Sequence, residues 1–248
     1  MSTQADTPRS TASPTIEHTA FPIGLGFVAG FVDVFGFMSW FGLLTAHVTG
    51  NLIFLAYDLV RGHYEFFMKL AAMPVFAAAV VASSWCIFTL AAHGRHPFPI
   101  AIILEAAILG ACLIAGLLLP MPRGPDDPTV MVAGSLAFCA MGLQSTIMRV
   151  ILNDLPPTTV ITSNITQMLS EAVEMIGHFG EAKAPLGEAR ASRRAKDIAT
   201  TLTAFTAGAI AGGMAQVHFG YPGLLVPIVV LLGLLPFGQA ARRAAGHI

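Results

Sequence analysis

Two short stretches carry most of the polar chemistry this sequence offers. Residues 45–54 read TAHVTGNLIF and residues 158–167 read TTVITSNITQ. The first holds Thr49-Gly50-Asn51 and the second Thr162-Ser163-Asn164, each just beyond a long apolar run. Hydroxyl and carboxamide groups both donate and accept hydrogen bonds, so the pair suits a small polar solute or an ion. Setting Thr49 against Thr162 also brings Asp58 opposite Glu171 with no gap. Upstream, a two-residue gap brings Asp33, in GFVDVFGF, opposite Gln144, in MGLQSTIM.

Asp33 sits in the middle of an apolar run, where membrane insertion costs ~2.5–3.5 kcal/mol for an Asp. Such a residue marks a solute pathway, a proton relay or a buried partner. The alternative is a protonated or hydrogen-bonded Asp that only fastens two helices. Glu105 invites the same reasoning but lies nearer the end of its run, and Arg149 is too close to the end of its own to be an assured partner for Asp33.

The elements that position these residues follow from composition. Of 248 residues 55% are hydrophobic and 11% charged, against roughly 25% charged in a soluble domain. This is the composition of a membrane chain. With a net charge of −1 and 13 basic residues spread unevenly, charge speaks about topology and gives no reason to expect a nucleic-acid partner. Six runs suit a bilayer core that needs about 20 helical residues: Phe21–Leu44, Phe66–Ala92, Phe98–Leu119, Val130–Leu152, Ile198–Val217 and Leu224–Ala241. Residues 1–20 read as a disordered polar tail, not a signal peptide, because the charged n-region is missing. The stretch 181–197 reads as a basic loop or short surface helix; it holds Lys183, Arg190, Arg193, Arg194 and Lys196.

With six crossings, those five residues share a side with Arg9, Arg95, Arg242 and Arg243, leaving Arg61, Lys69 and Arg123 opposite. The excess of Lys and Arg in cytoplasmic loops then puts both termini and the 181–197 loop in the cytoplasm. Counting Leu52–Val60 and Ile165–Phe179 as further crossings gives eight, which charge slightly prefers; hydrophobic length prefers six. Either way the chain reads as two repeats, 21–119 and 130–241, and three crossings per half would make them inverted, as in many secondary transporters. Thr49-Gly50-Asn51 and Thr162-Ser163-Asn164 would interrupt a helix in each half. Non-helical backbone at that depth must be buried in protein or line a wet cavity, and the half-helices after each break would aim their N-terminal amides at it. An ordinary helix-end turn is the simpler alternative for either motif alone.

Other features read as packing. GFVAG at 26–30 and GAIAG at 208–212 are small-xxx-small faces for close helix approach. Cys86, Cys112 and Cys139 lack the spacing of a metal or redox site and read as core thiols. Thr200, Thr203 and Thr206 either line a cavity or bond their own helix. Of the eight His, only His47 lies beside a proposed break. No His-Glu-x-x-His, Gly-x-Ser-x-Gly or paired Cys motif points to an enzyme, a cofactor or a metal.

The stretch AGFVDVFGFMSWFGLLTAHVTGNLIFLA, with MGLQSTIMR and PTTVITSN, resembles the YoaK-like family of bacterial inner-membrane proteins over roughly residues 20–243. The family usually has Gln-Asn where this chain has Gln144-Ser145, and Thr-Gly where it has Thr162-Ser163. The resemblance implies an integral membrane protein and supplies no substrate. The expectation is an all-α, multi-pass inner-membrane protein of about six helices in two repeats. It would move a small polar solute or ion past Asp33, Thr49, Gly50, Asn51, Gln144, Thr162, Ser163 and Asn164. A non-transporting scaffold or sensor is the alternative, an intramembrane enzyme a weaker one, and homo-oligomerisation is left open.

Overall fold

The computed structural model describes residues 15–62, 67–153 and 185–238, with isolated positions 155, 163, 165–167, 169, 170 and 173 between the last two stretches. Side chains are described from Ala20 in the first stretch and from Ala195 in the third. Every regular element in the described residues is helical. In chain order they are α1 (Thr15–Ser39), α2 (Val48–Arg61), α3 (Phe67–Ala92), α4 (Pro97–Leu118), α5 (Pro128–Thr146), α6 (Pro185–Phe219) and α7 (Leu225–Gly233). A π-helical turn, Ile147–Ile151, extends α5, and a 3-10 turn, Tyr221–Leu224, precedes α7.

Six stretches are long and apolar enough to cross a bilayer: Ala20–Ser39, Phe67–Ala92, Pro97–Leu118, Pro128–Ile151, Ala195–Phe219 and Tyr221–Gly238. Their outer faces are apolar. Trp85 on α3 is 75% exposed and Val229 on α7 66%, exposure that lipid tails can cover and water cannot without cost. Cys86 shares that surface on α3 and so departs from the expected core position, whereas Cys112 is buried and Cys139 half-buried.

Glycines set the closest helix pair. A Cβ on Gly30 of α1 would run into the carbonyl oxygen of Phe205, and one on Gly208 of α6 into that of Phe27. Gly26 faces Thr201 and Gly212 faces Phe31, so residue numbers rise together and α1 and α6 run parallel. The small-xxx-small faces do meet, and they meet each other. A second pair joins α3 and α5. Gly142 lies against Ala79 and the backbone of Phe76 and Val80, and the Ser83 and Thr146 hydroxyls are bonded at 2.8 Å. Each of these pairs takes one helix from each half of the chain.

Three boundaries differ from those expected from sequence. The first crossing stops at Ser39, not Leu44, because the Gly42 amide bonds back to the Phe37 carbonyl and Phe41 and Gly42 adopt φ of 51° and 82°. Helix α1 begins at Thr15, inside the stretch assigned to the tail. The basic stretch 181–197 is, from Pro185 onward, the first part of α6 and continuous with its crossing.

Candidate functional site

The chain leaves α1 at Ser39, turns through residues 40–47 and restarts as α2 at Val48. Trp40 anchors the turn, its indole donating to the Tyr221 hydroxyl at 3.1 Å. The backbone then runs back along α1 to Asp33, six residues before the helix end and so about 9 Å inside it. Asp33 is 4% exposed. Its Oδ1 accepts the amides of Thr45 at 2.7 Å and Ala46 at 2.8 Å, with His47 longer at 3.4 Å. Its Oδ2 lies 2.6 Å from Nδ1 of His47. The carboxylate therefore sits at the N-terminus of α2, where free amides and the helix dipole favour an anion. The expected occupant of that place was a solute; the protein fills it with Asp33.

His47, beside the break but outside the expected site, belongs to it. The carboxylate fixes its Nδ1, and its ring packs edge-on against Phe205 of α6, centroids 5.2 Å apart. The side chain is 30% exposed. An Asp-oriented imidazole in this position can hold or pass a proton at its other nitrogen.

Thr49-Gly50-Asn51 is not the unwound stretch itself but the first turn of α2. Thr49 is exposed, and Gly50 leaves room for the Leu44 side chain, which a Cβ would strike. Asn51 is fully buried and directs its whole carboxamide to one residue: Oδ1 accepts the Leu44 amide at 2.9 Å and Nδ2 donates to the Leu44 carbonyl at 2.6 Å. Asn51 is thus a clamp that holds the turn in place of a helical or sheet ladder.

Helix α2 returns to the side it came from. A Cβ on Gly134 of α5 would touch Leu43, before α2, and Met68, after it. The Met68 amide bonds Asp126, in the connection between α4 and α5, at 3.1 Å. Phe37 of α1 meets Phe54 of α2 with centroids 6.0 Å apart, so the two helices climb together. Gly62 ends α2 with φ 73°, open to a glycine and strained for other residues, and Asp58 pairs with Lys69 of α3 at 2.5 Å. Both flanks of α2 thus meet α5 near its start, as in a re-entrant segment, and α2 is not among the six stretches long and apolar enough to cross.

The proposed site residues do not all come together. Gln144 donates to the Leu25 carbonyl at 2.8 Å, eight residues below Asp33 on α1 and so about 12 Å away along the axis. It is buried one turn before the π-helical segment of α5, a departure often found at functional sites. Ser163 is exposed, and Thr162 and Asn164, like Glu171, lie outside the described residues. Thr203 and Thr206 bond the carbonyls of Ala199 and Leu202, four residues back on their own helix. Among the described residues no three His, Cys, Asp or Glu side chains gather as metal ligands.

A bundle of six membrane-length helices with a buried carboxylate seated on a re-entrant helix defines a multi-pass helical membrane protein. The family described as "Protein of unknown function (DUF1275)" matches residues 21–236, nearly all of the apolar chain, and the protein belongs to that family, the YoaK-like family. No curated protein and no solved structure matches it.

Proposed function

We propose that the protein is a secondary-transporter-like carrier of a small polar solute or ion, built as two inverted halves. The observation that carries the reading is the re-entrant turn: non-helical backbone at membrane depth, closed onto a buried carboxylate and a partly exposed imidazole. Breaks of this kind are where transporters place their sites. The helix exchange supports the inverted plan. With α1, α3 and α4 matched to α5, α6 and α7, the α1–α6 contact and the α3–α5 contact are the same contact under a two-fold axis in the membrane plane. In this reading the outer break is built from Asp33, His47 and Thr49-Gly50-Asn51. The inner one is built from Gln144 and Thr162-Ser163-Asn164, with both termini on the cytoplasmic side of the inner membrane. No catalytic step is assigned.

One observation favours the scaffold reading instead: both Asp33 oxygens are taken up within the protein. The experiment separates the two. Metabolites that change in a deletion strain are offered to purified protein reconstituted in liposomes, and counterflow of each is measured. A carrier exchanges at least one of them faster than empty liposomes and than Asp33→Asn; a scaffold exchanges none.

A further inference from the structure

Glu105 of α4 is fully buried, and among the described residues neither of its carboxylate oxygens has a hydrogen-bond partner. Its level follows from the helix register. Phe98 of α4 meets Phe21 of α1 edge-on, centroids 5.0 Å apart, and a Cβ on Gly238 would strike Phe98. At the other end, Gly116 of α4 faces Tyr221, which in turn packs on Phe35 of α1. Helices α1 and α4 therefore run parallel, and seven residues beyond the Phe98–Phe21 contact Glu105 stands near the level of Val28. That is between Gln144, bonded at Leu25, and Asp33, about five residues or 7 Å further along α1. Three buried polar groups thus succeed one another through the bundle, and among the described residues the middle one has no hydrogen-bond partner at either carboxylate oxygen.

An ionised carboxylate without hydrogen bonds or a counter-charge is not tolerated in a dry interior. Among the described residues no cation is seen to bond or pair with it: Arg149, on the π-helical turn beside α4, is exposed, Lys69 of α3 pairs with Asp58, and Tyr221 bonds the Trp40 indole. From Leu225 to Gly238 the last crossing carries no titratable residue, and α5 offers Gln144 and the half-buried Cys139. On α4 itself Cys112 gives its thiol to the Ala133 carbonyl, and Asp33 on α1 is already engaged with His47. Among the described residues the donor set is too small for a metal ion, and a proton removes the charge that the interior disfavours.

We propose that Glu105 is a proton-binding site at the centre of the bundle, neutral while the helices are packed and exchanging its proton with water when they separate. The step is reversible proton binding at one carboxylate oxygen, with hydronium as donor and water as the other product. As the coupling site of a carrier it deepens the transport reading and rests on it for its purpose; the exchange itself can be tested without any solute.

The test is infrared spectroscopy of the full-length protein in lipid at neutral pH, in H2O and after transfer to D2O. The protonated-carboxyl carbonyl band is assigned by its loss in Glu105→Gln. Selective 13C labelling of glutamate shows that the band belongs to a glutamate and not to Asp33, and its loss in Glu105→Gln picks out Glu105 among the glutamates. The expected result is a glutamate band present in H2O that shifts after transfer to D2O. Absence of the band means an ionised Glu105 and overturns the proposal. A band that never shifts means a proton locked in place, and overturns it too. If the band exchanges while no metabolite shows counterflow, the proton site stands and the carrier reading falls.

Discussion

Replacing Asn51 with Ala removes both arms of the clamp on Leu44. The two bonds, 2.9 and 2.6 Å, satisfy the amide and carbonyl of Leu44, just before the residues that Asp33 holds, and the Asn51 side chain is fully buried. Each stranded backbone group costs about 1–3 kcal/mol when water cannot replace its partner. Leu44 is only partly buried, so water recovers some of this, and the expected loss is about 2–4 kcal/mol. Asn51→Asp keeps the acceptor for the Leu44 amide but aims a carboxylate at the Leu44 carbonyl, so it should lose at least as much. The assay is chemical denaturation in detergent micelles, paired with amide hydrogen exchange across residues 40–48. Faster exchange confined to the turn, with α1 and α3 still protected, is the expected pattern. An Asn51→Ala protein within about 0.5 kcal/mol of wild type, with exchange unchanged in the turn, would refute the clamp, since surface changes stay within that range.

Gly30→Val and Gly208→Val should each disrupt the α1–α6 crossing and lower the yield of folded protein in membranes, whereas Gly110→Ala, with open space at its Cβ, should be neutral or stabilising by up to about 1 kcal/mol. Cysteines placed at Gly62 and Gly124 should be labelled from the same, extracytoplasmic side, and one at Ser192 from the cytoplasm; labelling of Gly62 and Gly124 from opposite sides would make α2 a crossing. Removing one member of the buried Asp58–Lys69 pair, as in Asp58→Asn, should cost about 3–5 kcal/mol, to be read by denaturation against the Lys69→Met single and double variants. Asp127 caps α5, and the Thr129 amide, then that of Arg123, hold its carboxyl below the usual range. Its stabilising effect should be present above that range and fade as pH falls through the lowered value, a trend absent in Asp127→Asn.

Length and hydropathy made the six crossings legible, because a 20-residue apolar run has few alternatives in a chain with so little charge. The glycine faces were legible as well, since only close backbone approach explains small residues four apart in two crossings. The end of α1 was not. Residues 40–44, WFGLL, are as apolar as the helix before them, and only the left-handed Phe41 and Gly42 reveal the turn. Residues 49–51 form the first turn of α2, not an unwound stretch, and the Asn serves the backbone, which sequence cannot distinguish from serving a ligand. His47 carried a signal, a lone imidazole fourteen residues after a mid-membrane Asp. Glu105 lies nearer the end of its own apolar run than Asp33 does, yet the offset of α4 against α1 places it between Asp33 and Gln144.

A turn that works as part of a pathway, and does more than fasten helices, depends on the charge it encloses. Counterflow by Asp33→Asn tests that dependence most directly. The Asn side chain retains an oxygen for the Thr45 and Ala46 amides, loses the charge, and presents an NH2 donor to His47 in place of the acceptor Oδ2. The expected variant reaches the membrane at normal abundance, keeps its turn protected from exchange, and no longer exchanges solute. Normal counterflow by a well-expressed Asp33→Asn protein would contradict a role for the turn in transport.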